Sequence, residues 1–226
     1  LSFYQLRMVD GMEWNHGAES YNRSFQLGNV KGFFEAKHIE DKHRFNITIY
    51  LADTQVLSVL TEVVIQIKRV LDLDADMTQI QASLLSIDLI NNEMEDGLRL
   101  PGTWSVFEAG CRAILGQQVS VVQATKLLNK MVKANGEQLT ICGKTILLFP
   151  TPAMVATASL DELKMPGARK AALNAFGLFV SENPQASVDD WLNIKGIGPW
   201  TVAYAKMRGL SEPNILLCSD LIVKKK

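Results

Sequence analysis

The hydrophobic period of this chain changes partway along, and that change limits the folds open to it. Phe45, Ile47, Ile49 and Leu51 alternate with Arg44, Asn46, Thr48 and Tyr50, the two-residue period of a strand with one buried face. Residues 20–27 and 30–38 are strand-like too, and Gly28-Asn29 between them is a hairpin-prone pair. Asp53 or Thr54 is placed to cap a following helix, whose apolar positions Val56, Leu60, Val63, Ile67 and Val70 keep helical spacing. The opening segment therefore reads as an antiparallel sheet carrying helices, an α+β unit.

After residue 75 the strand signals nearly vanish. Residues 77–87 read as helix, followed by a polar stretch at 91–97 and by Leu100-Pro101-Gly102. Ser105 to Glu108 has the spacing of a capping box: Ser105 takes the Glu108 amide and the Glu108 carboxylate reaches back. It opens a helix to about Gln117, and another runs over 120–134. Thr151-Pro152 starts a helix with Pro at its first position. Ser159 to Glu162 repeats the capping spacing, Pro166-Gly167 breaks the chain, residues 168–180 resume a helix, and Ser187 caps a short one through Asn193. The second half reads as a bundle of short helices.

Composition narrows the function classes. At 226 residues the chain suits one large or two ordinary domains. Cys111, Cys142 and Cys218 make no disulfide framework, and no apolar run approaches the ~20 residues of a membrane span. The net charge of −1 is an average: residues 1–100 hold 9 Lys+Arg and 15 Asp+Glu, and residues 101–226 hold 14 and 9. A basic half can meet a polyanion, although two domains of unlike charge explain the split equally well.

Three constellations carry chemistry. In Leu192 to Thr201 a helix ends, Gly196-Ile197-Gly198 makes a tight turn and Pro199 starts the next helix. Glycine supplies the positive φ of such a turn, and outward amides at a helix start form an anion site. Asp220 follows Ser219, a plausible N-cap that puts the carboxylate in a helical first turn. A fixed anion suits glycosidic cleavage, where the departing base leaves an oxocarbenium-like sugar. The third is the run Phe107 to Ser120, in which two helices meet at Gly116-Gln117-Gln118. Taken singly, each also reads as ordinary helix packing.

Together these residues resemble the 3-methyladenine DNA glycosylase II family of the helix-hairpin-helix glycosylase superfamily. The resemblance rests on Leu100-Pro101-Gly102, Phe107 to Ser120, Lys126, Phe149 to Pro152, Met165-Pro166, Gly196 to Gly198 with Trp200, Thr201 and Tyr204, Arg208-Gly209 and Asp220. It is looser over residues 1–90, where Tyr21, Arg23-Ser24 and the strand at 45–51 fit the family's sheet domain. The resemblance implies Asp220 as the catalytic aspartate and Trp200 and Tyr204 as aromatic walls of the base pocket. An electron-poor alkylated base stacks well on such rings. It implies that Lys195, Gly196, Ile197 and Gly198 hold a DNA phosphate, that the hairpin carbonyls of Ile194 and Ile197 are candidates for a monovalent cation, and that Gln118 aligns with the wedge that fills the space of a flipped nucleotide. Two positions depart from the family: Cys218 replaces a proline before the aspartate, and Gln118 replaces an apolar wedge. Where lyase members carry an amine nucleophile this chain has Trp200, so a monofunctional, water-using glycosylase is implied.

The fold expected is α+β: an antiparallel sheet with helices over 1–80, similar to the TATA-binding protein, then a mostly α-helical two-lobed body. Residues 81–106 with 213–226 form the lobe bearing Asp220, and 107–212 form the lobe with the hairpin. The chain begins at Leu1 and stops at Lys224-Lys225-Lys226 inside an expected helix, so it reads as a fragment. The implied partner is double-stranded DNA with alkylated bases, acted on by a cytoplasmic, nucleoid-associated bacterial monomer that needs no cofactor and touches no membrane. The alternatives are a glycosylase for oxidised bases and a non-catalytic helix-hairpin-helix module of a larger protein.

Overall fold

The computed structural model describes residues 1–53, 58–85 and 97–220. After a short helix α1 (Ser2–Gln5), strands β1 (Glu13–Trp14), β2 (Ser20–Leu27), β3 (Val30–Ile39) and β4 (Arg44–Leu51) form an antiparallel sheet in sequence order. The alternation read from β4 is realised. Phe45, Ile47, Ile49 and Leu51 face a core of Tyr4, Tyr21, Phe25, Phe34, Val63, Ile67, Val70 and Trp104. Gly28 takes φ +57 in the turn between β2 and β3.

Helix α2 (Leu60–Leu71) packs on that sheet face through Val63, Ile67, Val70 and Leu71. Its start differs from expectation. Val59 holds the N-cap position of this helix and gives it no side-chain cap; the segment after Asp53 that holds Thr54 and Val56 lies outside the described residues. Helix α3 (Met77–Leu85) follows, and the end of the expected segment, 86–87, also lies outside them. Trp104 crosses back into the sheet core. It stacks on Phe25 at 4.7 Å and donates from Nε1 to the Gln26 carbonyl at 2.7 Å.

The helical half comprises α4 (Val106–Gly116), α5 (Val121–Asn135), α6 (Pro152–Thr157), α7 (Gly167–Glu182) and α8 (Pro199–Gly209). Ser105, Ser120 and Thr151 cap α4, α5 and α6, each accepting a first-turn amide. Ser187 forms a reciprocal cap with Asp190, but the element it opens, Val188–Asn193, is a 3-10 helix. No helix starts at Ser159: its hydroxyl turns onto Asp161 Oδ2 at 2.9 Å instead. Phe107, Ile114, Leu128, Leu173, Phe176 and Trp191 lie in the core of this half. Among the described residues no helix is long and apolar enough to cross a membrane.

Two features were not anticipated. A second hairpin, β5 (Gln138–Ile141) and β6 (Lys144–Leu147), interrupts the helical half. Its turn residues Cys142 and Gly143 take φ of 49 and 78, the left-handed pair typical of two-residue hairpins. Ile141, Ile146 and Leu148 cover the far face of the sheet at Phe33, Trp14 and Tyr50. The far face is thus covered in part, while Lys37, Arg44, Asn46 and Thr48 on it stay exposed.

The other is the fate of Glu108. Ser105 Oγ accepts its amide at 3.1 Å, as the capping spacing requires. Its carboxylate does not reach back. It meets Arg23 Nη2 at 2.8 Å and Arg112 Nη2 at 2.8 Å, and Arg112 also binds Glu13 at 3.0 Å. Tyr21 donates to the same Glu13 carboxylate at 2.6 Å. Two carboxylates and two guanidiniums thereby join the sheet to α4 inside the protein. Burial works to raise the Glu108 pKa, but Arg23 and Arg112 overcome it and hold the carboxyl down at about 2. Breaking one partner of such a buried set leaves an uncompensated charge.

Candidate active site

The hairpin begins where the 3-10 helix ends. Ile194 and Ile197 sink into the helical core, and the Ile197 amide closes the turn on the Ile194 carbonyl at 3.0 Å. These two buried side chains fix the loop, so Lys195 and Gly196 project outward as exposed residues. The two glycines differ. Gly196 sits at φ +94, and a Cβ there would lie 2.8 Å from the Ala172 Cβ. Gly198 has φ −115, which any residue adopts, and a Cβ there meets nothing within 4 Å. The turn therefore demands glycine at 196 only. At 198 the absent side chain leaves the N-terminus of α8 uncovered, with Pro199 at the first helical position. Among the described residues the amides of Gly196 and Gly198 meet no acceptor. Uncovered amides at a helix start are the donors an anion needs.

Helix α8 carries the aromatic residues. Trp200 and Tyr204 are one turn apart and stack with centroids at 5.4 Å and planes at 29°. The Trp200 indole Nε1 donates to Asp220 Oδ2 at 3.1 Å. This bond brings the chain after α8 back over the start of the same helix. Asp220 is half-buried, and its amide closes a turn on the Leu217 carbonyl at 2.8 Å. Residues 217–220 form a turn, and the indole N–H is one of the contacts that hold the carboxylate. The helix expected to continue from Asp220 lies outside the described residues.

The third constellation joins the hairpin through Gln117, a corner residue to which the sequence assigned no separate role. Gln117 Nε2 donates to the Gly196 carbonyl at 3.0 Å and to Thr201 Oγ1 at 3.2 Å. The corner between α4 and α5 is thereby tied to both sides of the hairpin. Gln118, the next residue, is exposed at φ +56.

A wall formed by the first residues was also not anticipated. Phe3, Arg7, Pro101 and Arg208 line a small cavity with Tyr204. The Phe3 ring carries the Arg7 guanidinium at 3.8 Å and that of Arg208 at 4.4 Å. Nothing in the spacing of Phe3 or Arg7 links them to a helix two hundred residues away. Of the histidines, His16 contacts Glu35 at 3.4 Å on the sheet domain. His38 and His43 border a surface hollow there. Among the described residues no three His, Cys, Asp or Glu gather as a metal site.

Residues 1–105 match the family model of the AlkA N-terminal domain. The chain is 30% identical to DNA-3-methyladenine glycosylase 2 of Escherichia coli, over its whole length and 81% of that protein. It is 28% identical to DNA-3-methyladenine glycosylase of Bacillus subtilis, over 86% of this chain and 70% of that one. Among solved structures, the 3-methyladenine DNA glycosylase from Archaeoglobus fulgidus superposes with a TM-score of 0.79 at 20% identity, covering 97% of this chain and 77% of that one.

Proposed function

The chain belongs to the family of DNA-3-methyladenine glycosylase 2, and from that premise we propose how its residues start base excision repair. The substrate is duplex DNA carrying an alkylated base of the 3-methyladenine type. The enzyme acts as a monomer on a nucleotide flipped out of the stack. The hairpin of Lys195, Gly196, Ile197 and Gly198 holds a phosphate beside the lesion, the wedge at Gln118 fills the vacated space, and Trp200 and Tyr204 receive the base. The carbonyls of Ile194 and Ile197 are the hairpin groups available to a monovalent cation.

The single observation carrying this reading is the bond from Trp200 to Asp220. It places a carboxylate at the edge of an aromatic surface. A base stacked on that surface brings its sugar toward the anion, and the carboxylate stabilises positive charge on the sugar as the N-glycosidic bond breaks. An alkylated base already carries positive charge, so it leaves without a strong acid. Water then adds to the sugar. Trp200 offers no amine, so no covalent imine forms and the strand stays intact. Incubation with methylated duplex DNA tests this: the free alkylated base is released, and the strand breaks only on later treatment with alkali. Strand cleavage concurrent with base release contradicts it.

A further inference from the structure

We infer that Lys126, Lys130, Lys164, Arg169 and Lys170 form a phosphate-binding track that holds the duplex flanking the lesion, beyond the reach of the hairpin; the inference rests on the glycosylase reading above. The track starts beside the hairpin. A Cβ on Gly196 would lie 2.8 Å from that of Ala172, so the hairpin turn rests against the beginning of α7. Arg169 stands three residues before Ala172 and shares its helix face, one turn nearer the start of α7. Lys170, the next residue, reaches the Asp161 carbonyl at 3.4 Å, and from α5 Lys130 reaches the Glu162 carbonyl at 3.5 Å. Lys164 belongs to the loop that these two lysines clamp. Leu163 is buried in the helical core and fixes that loop, while Lys164 beside it is exposed. Lys126 lies one turn before Lys130 on α5 and is exposed as well. The cations therefore follow one another from the hairpin over α7 and the loop to α5.

What sets these side chains apart is their lack of anionic partners. Lys31 and Lys206 meet carboxylates at 2.7 and 2.8 Å, and Arg23 and Arg112 are paired inside the protein. Among the described residues none of the track cations forms an ion pair. Asp161 and Glu162 are the acids of the clamped loop. Lys170 and Lys130 touch their main-chain carbonyls, and Ser159 holds the Asp161 carboxylate. Like charges gathered in this way repel one another, and a polyanion laid across them removes the repulsion. Duplex DNA carries one charge for about every 1.7 Å of its axis. In the proposed function the hairpin takes one phosphate beside the lesion, and the same duplex continues over the adjoining cations. Such contacts carry no sequence information, but each releases counterions and so sets how binding responds to salt.

The test uses the whole chain and duplexes with a stable abasic-site analogue, either with long flanks or with ends close to the lesion. Affinities are measured by fluorescence anisotropy over a range of salt concentrations. The variant is Lys126→Gln with Lys130→Gln, both exposed on α5, so its melting temperature should stay near that of the parent. Each phosphate contact contributes about 0.9 to the slope of log affinity against log salt, so on the long duplex the slope should fall by about 1.8. A fourfold rise in salt should then cost the variant about tenfold less affinity than it costs the parent. Lys164→Gln, on the loop, checks this independently with a fall of about 0.9. On the short duplex parent and variants should keep nearly equal slopes. Unchanged slopes on the long duplex, or the same fall on both duplexes, overturn the track. So does a parent that binds two long duplexes per chain where the variant binds one, since a separate duplex would then occupy the patch. A parent with no preference for abasic over unmodified duplex overturns the glycosylase reading instead, and the slopes still judge the track.

Discussion

Trp200 and Asp220 are bound to each other: the indole N–H donates to one carboxylate oxygen at 3.1 Å. In the proposed function the residue that offers a face to the base is therefore also one that holds the anion. Trp200→Phe separates the two duties, since it keeps an aromatic face and removes the donor. Hydrogen bonds to charged groups contribute about 1.5–3 kcal/mol, so single-turnover base release should fall about ten- to hundredfold. Binding to abasic duplex should change little. A parallel loss of both would mean that Trp200 acts only through packing.

The two hairpin glycines should respond differently to alanine. At Gly196 the added Cβ meets Ala172 at 2.8 Å and the backbone stays at φ +94. Gly196→Ala should cost about 1–3 kcal/mol of folding stability. At Gly198 the Cβ enters open space, and an alanine cap costs under about 1 kcal/mol. Gly198→Ala should therefore nearly keep the parent melting temperature and still weaken DNA binding, because its methyl group covers the amides at the start of α8. Thermal melts paired with anisotropy titrations decide this.

Glu108 gives the protein a definite acid limb. Its carboxyl is held at about 2 in the folded state against 4.5 as the ordinary value. A carboxyl whose folded pKa is depressed stabilises the fold above its unfolded pKa and loses that contribution as pH falls toward the folded one. The stability at stake between pH 4.5 and 2 is about 3 kcal/mol. Glu108→Gln should be destabilised by a similar amount at neutral pH and should show a flatter dependence below pH 4.5. Denaturant melts across that range measure it.

The contrast between these residues shows what a sequence carries. Strands β2 to β4 are legible because alternation is local and each strand is long enough to show it. The hairpin at 138–147 is not, since its strands have four residues each and owe their place to a sheet more than eighty residues upstream. The capping spacing at Ser105 identifies the helix start correctly and misassigns the Glu108 carboxylate, because Arg23, 85 positions away, offers a stronger partner. Repeated at Ser159, the same spacing starts no helix. At the candidate site, Asp220, Trp200, Tyr204 and the hairpin are named from motif residues, and the structure brings Asp220, Trp200 and Tyr204 together. The brace at Gln117 and the wall at Phe3 and Arg7 depend on contacts across the fold.

The central claim is that the Asp220 carboxylate carries the cleavage, and Asp220→Asn tests it most directly. The asparagine keeps an oxygen for the Trp200 N–H, so that bond can be kept while the charge is lost. The decisive measurement is the single-turnover rate of 3-methyladenine release from methylated duplex, taken alongside affinity for abasic duplex. The expected result is a rate lower by about a hundredfold or more with affinity near that of the parent. A variant that releases the base at the parent rate would contradict the claim.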